Sequence, residues 1–173
     1  MSTAVLLTLE EFLARPERED SQREELIEGE LILSPGAKVS HAEIVERLRE
    51  RLQPLKEQGF AVSNDFACVL PSSSVPNPDL AAVRRERWDE AVRTDDWLLE
   101  APELVVEVSS PSNRKLHHKA ALYIEHGAEQ VWVVYPRRRT VSIFTVDGTA
   151  EARIGEALEF HGVSVPVAEI FPA

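Results

Sequence analysis

The sequence predicts an α/β fold with a mixed central sheet flanked by helices, and three observations carry that expectation. Helical and strand-like patterns follow one another in the order helix, several strands, helix, strand. The run Leu104–Val108 is apolar at every position but Glu107, which suits a strand covered on both faces. No glycine-rich phosphate loop follows a strand, so a doubly wound dinucleotide fold is set aside.

Thr8 and Glu11 form a capping box that opens a short helix, with Leu7 and Phe12 placed as a hydrophobic staple. Pro16 and the charged run after it end that helix. Glu24 to Leu33 reads as two short strands around a tight turn at Glu28-Gly29. A second capping box, Ser40 with Glu43, is expected to open a helix whose Ile44, Leu48, Leu52 and Leu55 share one face. Pro54 should disturb its last turn, and Gly59 should stop it. Phe60 to Leu70 is rich in strand formers, Pro71 to Pro78 is a loop, and Leu80 to Val83 is a short strand. Arg84 to Glu100, with Trp88 and Trp97, reads as a partly helical excursion from the sheet. After the Leu104–Val108 strand, Ser109 to Asn113 turns, and Arg114 to His126 forms a helix closed by Gly127. Val131 to Tyr135 is an apolar strand ended by Pro136. Thr140 to Val146 is another, entering an Asp147-Gly148 hairpin turn. Short edge strands and a closing turn fill the remainder.

Composition narrows the classes. The 173 residues suit one domain with a core of its own. No apolar run approaches a membrane span, and the start carries no basic flank before a long apolar stretch, so neither signal peptide nor anchor is expected. The single cysteine, Cys68, excludes an internal disulfide and fits a cytoplasmic setting. A net charge of −11 opposes long-range attraction to phosphates. Basic clusters nevertheless occur at Arg47, Arg49 and Arg51, at Arg84, Arg85 and Arg87, at Arg114 to Lys119, and at Arg137 to Arg139. Each is either a solvated face or part of a local positive rim.

Three residues carry the chemistry. Glu107 shares its strand face with Val105 and Ser109, and a carboxylate buried there needs a partner or a metal ion. It could equally end the strand and reach solvent. Asp79 follows Asn77-Pro78 at the mouth of a strand, where it either forms a turn or points into a cleft shared with Glu107. Lys119 lies on a helical stripe with Leu116, Ala120 and Tyr123, from which it either snorkels to water or reaches the carboxylates. Two carboxylates can hold a hard divalent cation and leave positions for water and phosphate. A nearby lysine can orient the water or stabilise developing charge.

These residues sit within a longer pattern. It comprises Glu25-Leu26-Ile27-Glu28-Gly29-Glu30-Leu31, Ser34-Pro35, His41, Pro78-Asp79, Pro102 through Ser109, Lys119, Tyr123, and Trp132-Val133-Val134 before Pro136. In order and spacing the chain resembles the Uma (type two) family of putative restriction endonucleases, within the PD-(D/E)XK nuclease superfamily. The resemblance implies a restriction-endonuclease-like core over residues 40–146, with an N-terminal helix and hairpin over 1–39 and C-terminal strands over 147–173. It implies Mg²⁺-dependent phosphodiester hydrolysis in DNA, with Mn²⁺ as a substitute. Separately, nucleases that cut both strands often pair two active sites, and an exposed strand edge could support a homodimer. Asp79 matches the first acid of the superfamily motif and Glu107 the second, with the Val108 carbonyl as a further metal ligand. The usual lysine position is Ser109, and Lys119 corresponds to a lysine moved onto the next helix. Glu25 is expected near the metal, and His41 matches a recurrent position of unassigned role. Relatives carry aspartates where this chain has Lys115 and Tyr135, departures that bear on activity more than on fold. The alternative is an inactive nuclease-fold module that binds DNA or a protein.

Other constellations are weaker. Ser109, Ser110 and Ser112 near His117 and His118 lack a nucleophile elbow. Adjacent histidines on a helix diverge by about 100°, which is poor for one zinc site with His126. Arg84 to Trp97 is the expected substrate-contacting segment, or else a packed surface excursion.

Overall fold

A computed structural model describes residues 6–16, 18, 20, 22–111 and 115–173. The elements begin with α1 (Leu9–Leu13), β1 (Arg23–Ile27), β2 (Glu30–Ser34), α2 (Val39–Arg51) and a 3₁₀ turn, Gln53–Lys56. They continue with β3 (Phe60–Ser63), β4 (Cys68–Val69), β5 (Leu80–Arg84), α3 (Arg85–Thr94), β6 (Leu98–Leu99) and β7 (Leu104–Val108). The last are α4 (Leu116–Glu125), β8 (Gln130–Tyr135), β9 (Thr140–Thr145), β10 (Gly148–Ala152), β11 (Ala157–Phe160), β12 (Val163–Pro166) and α5 (Val167–Ile170). Among the described residues no helix is long and apolar enough to cross a membrane.

The central sheet is mixed, as expected, with strand order β10-β9-β8-β7-β5-β3. Only β7 and β8 run parallel, joined through α4, while the other neighbours are antiparallel. The alternation along β7 sorts its side chains as the sequence predicts. Leu104, Val106 and Val108 join Ile44 and Leu48 of α2 and Trp132 of β8 on one face. Val105 joins Leu116, Ala120 and Tyr123 of α4 on the other. Every residue of β7 is buried, Glu107 included. The sheet is therefore a wall between two apolar layers, and Glu107 stands on its α4 side.

The hairpin of β1 and β2 lies apart from this sheet. Its turn residues Glu28 and Gly29 both have positive φ, 48° and 84°, as a twisted two-residue hairpin requires. Leu26 exchanges backbone hydrogen bonds with Val75, which clamps the hairpin on the loop leading into β5. That clamp carries Glu25 toward the sheet.

Two sequence expectations need correction, at Ser40 and over Phe60 to Leu70, while others hold. The capping box at Ser40 is not formed: Ser40 lies inside α2, whose N-cap is Lys38 with no side-chain bond. A capping side chain must sit on the non-helical residue that precedes the first turn, and Ser40 is already helical. The capping box at Thr8 and Glu11 is present in full. Phe60 to Leu70 does not form one extended stretch. Asp65 takes a positive φ of 58° and turns the chain, so β4 pairs in parallel with β6 outside the central sheet. The stretch around Pro54 is the 3₁₀ turn, consistent with a residue that cannot donate to an α-helical ladder. The excursion after β5 is helical only as α3, and the chain closes on the β11–β12 hairpin and α5. Of the turn expected over Ser109 to Asn113, Ser112 and Asn113 lie outside the described residues, as does the first residue of the expected helix, Arg114.

Candidate active site

The site is assembled at one end of β7 from four directions. In the β5–β7 ladder Leu80 stands opposite Val106, so Asp79 and Glu107 fall opposite each other one step beyond the last paired residues. Asp79 is anchored there by the Val108 amide, which donates to its Oδ2 at 2.7 Å. Its other oxygen faces His41 Nε2 of α2 at 3.2 Å and Arg23 Nη1 of β1 at 3.5 Å. Burial alone would raise the Asp79 pKa, but His41, the Val108 amide and Lys119 outweigh it and hold the carboxyl below its ordinary value.

Glu107 has a different environment. Its Oε1 lies 2.8 Å from Lys119 Nζ and accepts from the Tyr123 hydroxyl at 3.0 Å. Both partners come from α4, four residues apart, where side chains share a face. Lys119 also reaches Glu25 Oε1 at 2.7 Å. Only 3% of the Lys119 side chain is exposed, so it does not snorkel: it is sealed between two carboxylates. Glu25 in turn accepts from the Asn77 amide at 2.8 Å.

The charge balance here is uneven. Glu25 and Glu107 share one ammonium, and Asp79 adds a third carboxylate nearby. Burial pushes the Glu107 carboxyl up to about 8; Lys119 opposes this, while Asp79 and Glu25 add to it. Burial would lower the Lys119 pKa, but Glu107 and Glu25 more than reverse that and keep it charged. Tyr123 is held far above its ordinary value, first by burial and then by Glu107, so its hydroxyl is a fixed donor.

This donor set suits a hard divalent ion in part. Among the described residues no group of three or more His, Cys, Asp or Glu is arranged to hold a metal by itself. Mg²⁺ does not require one, since it is commonly held by one or two carboxylates and completed by water and phosphate. Asp79 and Glu107, opposite each other across the β5–β7 register, supply two such carboxylates. The chemistry of these residues is compatible with such an ion.

Five of the six sequence candidates thus meet through their side chains at this end of β7, His41 with Asp79 and Lys119 with Glu107 and Glu25, and the sixth, Val108, joins the two groups through its amide on Asp79. Sequence reasoning assigned no role to Tyr123, Arg23 or Asn77. Tyr123 carried a signal, being one helical turn beyond Lys119 on the stripe facing the sheet. Arg23 and Asn77 carried none, because their placement depends on how the hairpin docks. Lys115, at one of the departures, pairs with Glu30 of the hairpin, and Tyr135, at the other, meets His117 Nε2 at 2.5 Å. His118 turns away to Glu28 at 2.7 Å, so the two adjacent histidines serve different partners. Cys68 is fully buried, and burial pushes its thiol up to about 12, as suits a core residue.

A family model described as Uma2, putative restriction endonuclease, matches residues 9–172. The crystal structure of a putative nuclease from Anabaena variabilis has the same fold, with a TM-score of 0.81 and 20% identity over 95% of this chain and 97% of that one. No curated protein matches the chain.

Proposed function

The chain belongs to the Uma2 family of putative restriction endonucleases, and on that premise we propose that it is a Mg²⁺-dependent endonuclease acting on DNA phosphodiester bonds. One observation supports this above the others: a fully buried lysine held between two acids, Glu107 at 2.8 Å and Glu25 at 2.7 Å, beside the strand mouth that carries Asp79. A purely structural core gains little from such a group. Buried ion pairs are often no better than apolar residues of the same volume, because desolvation offsets their attraction.

In this reading residues 1–173 act as one domain. Asp79, Glu107 and the Val108 carbonyl would hold the ion, and Mn²⁺ could replace it. When bound, the ion would supply a nucleophilic water and neutralise charge on the phosphoryl group. The chain's own residues do the rest. Tyr123 and Lys119 fix the Glu107 carboxylate, so that its orientation is set before substrate arrives. The Val108 amide and His41 do the same for Asp79. Glu25 holds Lys119, which keeps a positive charge beside the reacting phosphate. Cutting both strands would require two such sites, hence a homodimer.

The test is a nicking and cleavage assay on supercoiled, linear and single-stranded DNA, in Mg²⁺ or Mn²⁺ at low salt. Wild type should cut, while Asp79→Ala and Glu107→Ala should not, with folding unchanged by circular dichroism. Cleavage that survives both substitutions rules out this site. The second reading, an inactive module binding DNA or protein, draws on the net charge of −11 and on the pairing of Lys115 with Glu30 at a departure from the family pattern. It predicts no cleavage and no thermal stabilisation by Mg²⁺ or Mn²⁺, whereas a working site must show the latter by mass action.

A further inference from the structure

A groove of about 1060 Å³ runs beside the candidate site, between α1, the start of β1, the loop before β4, and α3. It has room for a ligand of drug size or larger. Two of its lining residues touch the site: Arg23, whose guanidinium meets Asp79 at 3.5 Å, and Asn77, whose amide donates to Glu25. The groove therefore borders the candidate site through Arg23 and Asn77.

Its lining does not suit a phosphate backbone. Arg15 and Arg18 are both drawn onto Glu24, at 2.7 and 3.2 Å, and Arg23 is drawn onto Asp65 at 2.7 Å. Asp95 and Asp96 also line it, so among the described lining residues the carboxylates outnumber the arginines. A polyanion meets no net attraction here. What remains is flat and apolar. Trp97 is 46% exposed, and Trp88 lines the wall, edge-on to Phe66 at 5.2 Å between ring centroids. An exposed indole beside arginine–carboxylate pairs suits a planar, uncharged ring that offers both donors and acceptors at its edge.

We propose that this groove takes an unstacked nucleobase of the DNA substrate, from an unpaired or extruded nucleotide next to the scissile phosphate, with Trp97 as the stacking platform. The proposal rests on the nuclease reading for its substrate. Stacking, which is sequence-tolerant, carries the affinity in this groove, because Arg15, Arg18 and Arg23 are already paired with carboxylates and not free for phosphates. The substrate class becomes DNA with single-stranded or locally melted segments, in preference to intact duplex.

The experiment is a tryptophan-fluorescence titration of the full chain in excess chelator, where no metal-dependent cleavage can occur. The probes are a short single-stranded oligonucleotide and its duplex. Single strands should quench the emission, duplex should quench it at least tenfold more weakly, and affinity should change little between 50 and 200 mM salt. For the variants, which lack the reporting indole, binding is read from the anisotropy of a labelled oligonucleotide: Trp97→Ala should weaken single-strand binding about tenfold or more, while Trp97→Phe should restore it. Equal binding of both probes, unchanged affinity in Trp97→Ala, or a steep salt dependence would each overturn the proposal. The two readings fail separately. Cleavage by a Trp97→Ala variant with unchanged KM on single strands would remove the groove and leave the nuclease. Trp97-dependent quenching without cleavage would keep the groove and remove the catalytic reading.

Discussion

Replacing Glu107 by glutamine should stabilise the metal-free protein, and the size of the effect follows from its surroundings. The carboxyl is fully buried and its pKa is displaced from 4.5 up to about 8, chiefly by desolvation. A pKa that is higher in the folded state means that the folded state holds the proton longer. Below about pH 4.5 both states are protonated and the group contributes nothing. As the pH rises toward 8 the unfolded chain ionises first, and stability is lost. At about 1.4 kcal/mol for each pH unit of displacement, the penalty at pH 7 is roughly 3 kcal/mol and approaches about 5 kcal/mol above pH 8. Glutamine cannot ionise, and its amide oxygen can still accept from Tyr123 and Lys119. Glu107→Gln should therefore match wild type near pH 4 and exceed it at pH 8.5, by on the order of 10 °C in Tm for a chain of this size. Differential scanning calorimetry in chelator across that pH range measures the gap. A wild type as stable as the variant at pH 8.5 would refute the reasoning, because the attraction of Lys119 would then outweigh burial. Saturating Mg²⁺ should narrow the gap by stabilising wild type alone, by about 2.7 kcal/mol at a hundred times Kd.

Lys119→Met should have the opposite sign. It leaves Glu25 and Glu107 buried without their shared cation, and urea unfolding at pH 7 should show a loss of about 3–5 kcal/mol; a loss below about 1 kcal/mol would mean that the ammonium is not sealed between them. Tyr123→Phe removes one hydrogen bond to Glu107 and should lower stability by about 1–2 kcal/mol. If the hydroxyl also orients that carboxylate for catalysis, kcat should fall with KM unchanged, whereas equal kcat in both proteins would limit it to a packing role. Cys68, with no exposed surface and a thiol pushed up to about 12, should react with a thiol reagent at pH 8 only as fast as the protein unfolds; immediate reaction in native buffer would contradict its burial.

Local chemistry determined a good deal of this protein by itself. The spacing within Leu104–Val108 specified a buried strand and set Glu107 on the face opposite Leu104, because side chains on a strand alternate with a period of two. The stripe of Leu116, Lys119, Ala120 and Tyr123 specified the face of α4 that meets the sheet, because positions three and four apart coincide on a helix. Thr8 and Glu11 capped their helix, since that motif is closed by neighbours in sequence. The β5 strand was legible from its own apolar run, whereas Asp79 at its mouth was left between a turn and the cleft. What stayed undecided were the choices between two physically acceptable states. Lys119 could snorkel or turn inward, and Glu107 could reach water or be sealed. Nothing within a few residues of either settles that. Tertiary structure decided both, by docking β1 on the loop before β5 so that Glu25 closes over Lys119. The same docking brought Arg23 to Asp79 and Asn77 to Glu25, and it shaped the groove beside them. These pairings join segments far apart in the chain, and their free energy comes from burial that exists only once the hairpin, the sheet and α4 are together.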